Sequence, residues 1–259
     1  MASDALISVV YTCMRRRSLT ELTLRRFREL MNYPYKLTVC YDGWDRSYRD
    51  MIVEAGKPDC IISNPYRTFP RWALINEALA TWDADYYMHL ENDFYWQDAE
   101  CLDAGLEALQ RFPELDYVRF ELLPYNKSNF NRYEEVGGRD ICFLKEDNQY
   151  RFTWNPHIRR MKYPCGEPLM ERGFTKQPEQ QHNDCYEGLS ACMTGENFRH
   201  IGLYDAHGHN KFQYVDRFTL RRGDSSFSMS QAWGGFMSFC SDEYYRELFR
   251  RFLDGDNGD

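Results

Sequence analysis

The chain has 259 residues, 43% hydrophobic and 28% charged, which is enough to bury a full core in one large α/β domain or two small ones. A net charge of −8 argues against a protein held on nucleic acid by a general positive field, although paired arginines leave a local basic groove open. No apolar run reaches the ~20 residues of a membrane span, and nine cysteines without a C-x-x-C pair favour reduced thiols in the cytoplasm.

The first third of the sequence predicts a repeated strand and helix order. Apolar runs predict buried strands, and amphipathic segments with capping or stop residues predict the helices between them. The strands are expected at residues 6–11, 35–41, 60–62 and 86–90, and the helices at 18–31, 45–56 and 71–81. Short connections imply right-handed crossovers and parallel pairing, so the carboxyl ends of these strands should share one edge of the sheet.

Polar residues follow three of these strands. Thr12 ends the first strand, Asp42 follows the second, and the segment E-N-D at residues 91–93 follows the fourth. Glu91 and Asp93 are two residues apart, so in an extended chain they point to the same side and can share one ligand. Carboxylates suit Mg²⁺ or Mn²⁺ carrying a diphosphate, whereas the alternative is an ordinary solvated turn.

Four segments in order resemble the nucleotide-sugar half of glycosyltransferases of the GT-A fold, family-2-like, over residues 5–125. They are V-V-Y-T-C-M-R-R-R-S-L, then L-T-V-C-Y-D-G-W-D, then a helix with Arg71 and Asn76, then M-H-L-E-N-D-F. The resemblance implies an α/β fold with an open, mostly parallel twisted sheet flanked by helices and a smaller mixed acceptor-side region. It implies one domain, with residues 1–125 for the nucleotide sugar, 126–253 for the acceptor and 254–259 as a disordered tail.

The resemblance also implies roles for individual residues. Those near the nucleotide sugar would be Thr12, Arg17, Asp42, Arg71, Asn76 and Glu91, and Asp93 would bind the metal as the last acid of a DXD-like motif. Two departures from the family pattern are Tyr41, where a first Asp is frequent, and E-N-D in place of paired Asp. The chemistry agrees, because a divalent cation stabilises the charge that a departing nucleoside diphosphate acquires.

The second half of the chain is less regular. We expect a helix at 97–112, a strand at 117–122, a loop at 126–138 with a turn at Gly137 and Gly138, and strands at 142–144 and 150–154. The last of these resembles the acceptor-side strand of the family, which implies that Trp154 and Asn155 contact the acceptor. Residues 161–181 predict either a mobile flap or an ordinary surface loop.

The resemblance implies a general base and further metal ligands late in the chain. Residues 180–187 precede a predicted short helix ending near Gly195 and a strand at 198–204, and in inverting members such a helix begins with the base. Glu187 is the first choice and Asp184 the second, although acids at a helix start also stabilise its dipole. His207 or His209 would complete the metal shell, with exposed loop histidines as the alternative.

The W-G-G-F segment that includes Trp233 resembles a piece that the family places soon after the metal motif, so its late position is a departure. The segment is either part of the acceptor site, to which Trp233 is assigned, or an accessory strand followed by the helix expected at 242–253.

These features predict a metal-dependent glycosyltransferase that moves a sugar from a nucleotide donor, most simply a UDP-sugar, to an acceptor hydroxyl with inversion. The acceptor could be a glycan, a lipid-linked sugar, a protein or a modified nucleobase. One alternative is a nucleotidyltransferase acting on sugar phosphates, which would need a glycine-rich loop that residues 12–18 lack. A second is a non-catalytic carbohydrate-binding module that uses the 16% aromatic content.

Overall fold

The computed structural model describes residues 4–13, 17–41, 43, 45–63, 71–120, 130–148, 153, 155–161, 188–195 and 197–200, with only the backbone at 18, 71–73, 76, 199 and 200. The helices are α1 (Arg17–Leu30), α2 (Arg46–Gly56), α3 (Arg71–Thr81) and α4 (Glu100–Arg111). The strands are β1 (Ile7–Cys13), β2 (Tyr35–Tyr41), β3 (Cys60–Ser63), β4 (Tyr86–Glu91), β5 (Phe94–Trp96), β6 (Leu115–Arg119), β7 (Phe130–Val136), β8 (Arg139–Leu144), β9 (His157–Arg160), β10 (Leu189–Met193) and β11 (Phe198–His200).

Nine of the described strands form one sheet in the order β3-β2-β1-β4-β9-β6-β10-β8-β7, and β5 pairs with β11 in a separate antiparallel ribbon. The first four strands are parallel, and β9 lies between β4 and β6 and is antiparallel to both. Only β8 and β9 among these nine run against the others. The predicted α/β class, with a mostly parallel sheet and a mixed second region, is therefore confirmed.

The parallel half follows directly from its sequence. All seven residues of β1 are buried, as a β-branched run between two covered faces should be. α2 begins after Asp45, which accepts the backbone N–H of Tyr48 at 3.1 Å, and it ends at Gly56, because Lys57 with a φ of 47° cannot continue the helix. The predicted bounds of β2 and α3 agree with the structure, and those of β1, α1 and β4 agree to within two residues.

Helices cover both faces of the sheet. On one face α1, α2 and α4 pack on the sheet, and buried residues such as Leu24, Ile52 and Leu106 join the core there. On the other face Leu74 and Ile75 of α3 pack with residues of β1, β2 and β4. α4 approaches closely, because a Cβ placed at Gly105 would lie 3.0 Å from the Phe120 ring. No described helix is long and apolar enough to cross a bilayer.

Several predictions for the second half are wrong. The loop expected at 126–138 contains β7, which pairs with β8 around Gly137 and Gly138, where φ values of 57° and 72° confirm the predicted turn. The short helix expected before Gly195 is instead β10, a buried strand whose five residues were too few to reveal a period. β6 begins and ends earlier than predicted, and α4 begins three residues later.

β9 was not predicted at all, since its sequence H-I-R-R has one apolar residue. The proposed domain division near residue 125 and the strand expected at 150–154, apart from Thr153, lie outside the described residues.

Candidate functional site

The carboxyl ends of β1, β2 and β4 meet at one edge of the sheet. Thr12 of β1 lies opposite Glu91 of β4, and Cys13 lies opposite Tyr41, the last residue of β2. The backbone N–H of Asn92 donates to the Thr12 carbonyl at 3.2 Å, which joins the acidic segment to β1. The predicted convergence of these strand ends is therefore present, whereas Asp42 itself lies outside the described residues.

The E-N-D segment is a turn between β4 and β5. Glu91 and Asp93 are half-buried, whereas Asn92 between them is only 4% exposed. This alternation agrees with two acids on the accessible side and an amide directed into the protein. The alternative of a turn was right about the backbone, but none of the three side chains is fully exposed.

Asn92 is anchored below the turn by hydroxyl groups that the sequence did not reveal. Its Nδ2 donates to Thr20 Oγ1 of α1 at 2.9 Å, and Thr20 Oγ1 lies 2.7 Å from the Tyr48 hydroxyl of α2. Tyr48 also hydrogen-bonds the Cys13 side chain. Burial first, and then the nearby Cys13, raise the pKa of Tyr48 well above its usual value, so this hydroxyl stays protonated at neutral pH.

Tyr11 provides a second buried hydroxyl near the acids. Its oxygen lies 2.5 Å from Thr23 Oγ1 of α1. Burial raises the pKa of Tyr11 well above its usual value, with further contributions from Cys13 and from the charge of Asp93. Tyr11 is therefore, like Tyr48, a neutral hydroxyl at neutral pH.

The described acids fit a hard divalent cation in their chemistry. Magnesium-like ions are commonly held by one or two carboxylates together with substrate phosphates, and Asp93 with Glu91 offers that donor type. No group of three or more His, Cys, Asp or Glu residues within the described part of the chain could hold a metal ion. A cation at this turn would need further ligands, and the predicted His207 and His209 lie outside the described residues.

Two of the residues predicted to lie near the nucleotide sugar begin helices that follow strands of the parallel sheet. Arg17 opens α1, is exposed and donates to Ser47 Oγ at 3.3 Å. Arg71 opens α3 and Asn76 lies in its middle, with only their backbone described. The amino ends of these helices lie at the carboxyl edge, where the helix dipole favours anions.

Thr12 and Asp45, at or after strand ends of the carboxyl edge, have structural roles. Thr12 is 2% exposed, and its hydroxyl donates to the Leu90 carbonyl at 3.5 Å, which joins β1 to β4. Asp45 caps α2, where the Tyr48 backbone N–H first and the Ser47 hydroxyl second lower the pKa of its carboxyl. The acids that follow β2 in sequence are therefore not all free for a ligand, since Asp45 serves the helix.

The predicted acceptor residue Asn155 lies at the same edge. His157 of β9 pairs with His89 of β4, and the two strands are antiparallel. Asn155 precedes His157 by two residues and Glu91 follows His89 by two, so both extend beyond this pair toward the carboxyl edge. The Asn155 carbonyl accepts from His157 Nδ1 at 2.8 Å. Trp154 and Trp233 lie outside the described residues.

The predicted base is not placed. Glu187 and Asp184 lie outside the described residues, and the segment after them is β10 rather than a helix. β10 is parallel to β6 and begins with Leu189 opposite Leu115, the first residue of β6. The described chain therefore resumes after Glu187 at the amino edge, opposite the acidic turn, and the role of Glu187 stays a prediction.

A buried polar layer beside the acidic turn was also missed. His89 and His157 stack with ring centres 5.4 Å apart, and the Tyr87 hydroxyl lies 2.9 Å from His89 Nδ1. Arg119 donates to Thr153 Oγ1 and to Cys192 Sγ, each at 3.1 Å. The feature of the sequence that could have revealed this layer is the alternation of side chains along β4, which puts Tyr87, His89 and Glu91 on one side of the strand.

Comparisons with known proteins locate the fold but not a family. No protein-family model matches the chain, and no curated protein matches it at a significant level. Among solved structures, residues 1–349 of TarS from S. aureus, a protein of the GT-A fold, align with 96% of this chain and 87% of that chain at a TM-score of 0.55 and 12% identity. The chain has the GT-A fold.

Two other solved structures resemble this GT-A chain. A 4-diphosphocytidyl-2C-methyl-D-erythritol synthase from Anaerococcus prevotii aligns with 84% of this chain and 97% of that chain at a TM-score of 0.51 and 12% identity. Glucosyl-3-phosphoglycerate synthase from Mycobacterium tuberculosis, solved with Mn²⁺, UDP-glucose and phosphoglyceric acid, aligns with 46% of this chain at a TM-score of 0.37 and 14% identity. This chain covers 45% of the length of that synthase.

Proposed function

We propose that the chain is a metal-dependent glycosyltransferase that moves a sugar from a UDP-sugar to an acceptor hydroxyl with inversion at the anomeric carbon. The observation that carries this proposal is the position of the E-N-D turn. The turn lies at the carboxyl edge of a GT-A sheet, joined to the end of β1, with two half-buried acids on either side of an anchored Asn92. Ligands of open α/β sheets bind at that edge.

In this proposal the nucleotide sugar lies along the ends of β1, β2 and β4. Asp93 would hold Mn²⁺ or Mg²⁺ with His207 or His209, and Glu91 would accept hydrogen bonds from the ribose. The residues around the base and sugar would be Thr12, Arg17, Asp42, Arg71 and Asn76. When bound, the cation would supply Lewis-acid stabilisation of the charge that develops on the leaving diphosphate.

The acceptor would enter from the mixed side of the sheet, where Asn155 extends toward the carboxyl edge. Trp154 and Trp233 would pack on the acceptor, as aromatic rings do on sugars. Glu187, or failing that Asp184, would remove the proton of the acceptor hydroxyl. That oxygen would then attack from the face opposite the leaving nucleotide, which produces inversion. The acceptor class is a hydroxyl-bearing glycan, lipid-linked sugar, protein or modified nucleobase.

The glycosyltransferase is preferred over a nucleotidyltransferase acting on sugar phosphates because of the amino-acid sequence after β1. Attack on a nucleoside triphosphate favours a glycine-rich loop that wraps the phosphates, and residues 12–18 contain no glycine. A carbohydrate-binding module is less favoured, because carboxylates at the carboxyl edge of an open α/β sheet suit a cation that carries a diphosphate.

The decisive experiment is a panel of nucleotide sugars incubated with the full chain, with Mn²⁺ or with a chelator, and assayed for release of nucleoside diphosphate. We expect Mn²⁺-dependent release of UDP from one UDP-sugar, and none with the chelator. Pyrophosphate released from a triphosphate and a sugar phosphate would instead indicate the nucleotidyltransferase. Failure to bind any nucleotide would leave the carbohydrate-binding module.

A further inference from the structure

The acidic turn is fixed to the first helix through one buried hydroxyl. Thr20 of α1 is fully buried and Asn92 is 4% exposed, and the Asn92 Nδ2 to Thr20 Oγ1 hydrogen bond measures 2.9 Å. The two residues are 72 positions apart in sequence, so the contact is made by the tertiary fold. It links the turn to the helix that directly follows β1 at the same edge.

This hydrogen bond acts on the residue between the two acids. Asn92 is held twice, by its side chain at Thr20 and by its backbone N–H at the Thr12 carbonyl, 3.2 Å away. The peptide groups on either side of Asn92 are planar, so fixing this residue at two points restricts the directions in which Glu91 and Asp93 leave it. A carboxylate that must meet a cation within a few tenths of an ångström depends on such restriction.

The Thr20 hydroxyl also lies within hydrogen-bond distance of a residue of α2. The Tyr48 hydroxyl lies 2.7 Å from Thr20 Oγ1, and Tyr48 in turn hydrogen-bonds Cys13. Tyr48 is 6% exposed and Cys13 is 3% exposed, so water does not compete for these bonds. The chain of groups from Asn92 through Thr20 and Tyr48 to Cys13 connects the turn to α1, α2 and the end of β1.

We propose that Thr20 is a positioning residue for the acidic turn. It would touch neither nucleotide nor cation, and would act by holding Asn92 so that Asp93 and Glu91 are directed at the ligand before it binds. The nature of that ligand, a Mn²⁺–UDP pair, rests on the proposed function. The restraint of the turn by Thr20 does not rest on the proposed function, and the restraint and the ligand binding can be measured separately.

The test compares three variants of the full chain. Thr20→Val keeps the shape of the side chain and removes the hydroxyl that accepts from Asn92, and Thr20→Ser restores that hydroxyl. Thr38→Val is the matched control, because Thr38 is also fully buried and its hydroxyl also accepts one side-chain N–H, from Trp82 Nε1 at 2.9 Å. Thr38 lies in the middle of β2 and is not part of the proposed site.

Two measurements are made on each variant. The hydrogen-exchange rate of the Asn92 backbone amide reports the hold on the turn without any ligand. The affinity for Mn²⁺ at saturating UDP, followed by the electron paramagnetic resonance of free Mn²⁺, reports its effect on the site. For Thr20→Val we expect faster exchange at Asn92 and Mn²⁺ binding weakened roughly tenfold or more, as when groups that orient metal ligands are lost. Thr20→Ser and Thr38→Val should stay near wild type in both.

The outcomes separate the two proposals. If Asn92 exchanges no faster in Thr20→Val than in Thr38→Val, Thr20 does not hold the turn and the inference is wrong. If hydrogen exchange at the Asn92 amide is faster in Thr20→Val but Mn²⁺ affinity is unchanged, Thr20 restrains the turn without positioning the acids. The inference is then also wrong. If wild-type protein itself binds no Mn²⁺ with UDP, the proposed function fails, and the positioning of metal ligands fails with it.

Discussion

Acids lie at both edges of the sheet, but the neighbouring backbone N–H groups are satisfied differently at each edge. At the amino edge, Asp85 Oδ2 accepts the backbone N–H of Leu6 at 2.9 Å, and Asp59 Oδ2 accepts that of Leu37 at 2.9 Å. At the carboxyl edge the N–H of the turn is satisfied by a strand carbonyl, because Asn92 donates to Thr12. An ionised carboxylate only accepts hydrogen bonds, so it is occupied wherever a backbone N–H points at it.

The comparison separates the acids that tie strands together from the acids that we propose to bind the ligand. Asp85 and Asp59 precede strands β4 and β3, and each ties its strand to the start of a neighbouring one. Glu91 and Asp93 end and follow a strand instead, and the middle residue Asn92 provides the structural tie. In this chain an acid that precedes a strand ties strands together, whereas an acid that follows a strand either caps the next helix, as Asp45 does, or is proposed to bind the ligand.

The largest effect is expected from a substitution at the carboxyl edge, which should change activity rather than stability. Asp93→Ala removes the proposed metal carboxylate, and because such an ion supplies several kcal/mol, release of UDP from the donor should fall about 10³-fold. The midpoint of thermal unfolding should change little, since Asp93 is half-buried at a turn anchored by Asn92. Steady-state assays with Mn²⁺ and circular dichroism on heating measure the two quantities.

Asp85→Ala is the matched control at the amino edge. It removes the acceptor of the Leu6 N–H, so it should lower the free energy of unfolding by about 1 kcal/mol and leave the activity unchanged. Wild-type activity in Asp93→Ala, or activity lost equally in both variants, would show that the two edges do not differ in this way.

The predicted base gives the next effect in size. Glu187→Gln should lower the rate of transfer about 10²-fold with Mn²⁺ affinity unchanged, because a general base contributes at the chemical step and not to metal binding. Single-turnover assays with the identified acceptor check this, and Asp184→Asn is the companion variant. Since the chain after Glu187 resumes at the amino edge, with Leu189 opposite Leu115, this pair asks whether an acid that precedes a strand can serve catalysis. Wild-type rates of transfer in both variants would show that neither Glu187 nor Asp184 is the general base.

The parallel half of the fold could be predicted because local signals agree there with the tertiary structure. Pro34 and the Asp45 cap define where helices end and begin, and the apolar runs of β1 and β4 have no competing interpretation. The mixed half could not be predicted. Arg159 is 3% exposed in β9, with its guanidinium 4.5 Å from the centre of the Tyr87 ring. Only the neighbouring strand makes that burial favourable, and no local pattern reports it.

The candidate site divides in the same way. Placement of Thr12, Glu91 and Asp93 at one edge follows from the rule that parallel strands share their carboxyl ends. The hydrogen bond between Asn92 and Thr20 could not be predicted, because nothing in the sequence distinguishes Thr20 from the other residues of its amphipathic helix. Thr20 matters for the site only because Asn92, 72 residues away in sequence, donates a hydrogen bond to its hydroxyl.

The smallest expected effect is the pH dependence of the stability that Asp59 contributes at the amino edge. Partial burial acts to raise the pKa of Asp59, but the hydrogen bonds from Lys36 Nζ at 2.8 Å and the Leu37 N–H at 2.9 Å hold that pKa below its usual value. The unfolded chain, with a carboxyl pKa of about 3.9, therefore binds this proton more tightly than the folded chain does. The stabilisation is complete above that pH and is lost as the pH falls through the folded pKa.

Urea unfolding of wild type and Asp59→Asn at several pH values measures this contribution. We expect wild type to be more stable by less than about 1 kcal/mol at pH 7, since the ion pair is partly exposed. That difference should shrink below about pH 4, with UDP release unchanged in both proteins. A difference that stayed constant with pH would mean that the charge of Asp59 is not what stabilises β2. In that case its geometry alone, and not its ionisation, would distinguish it from Asp93.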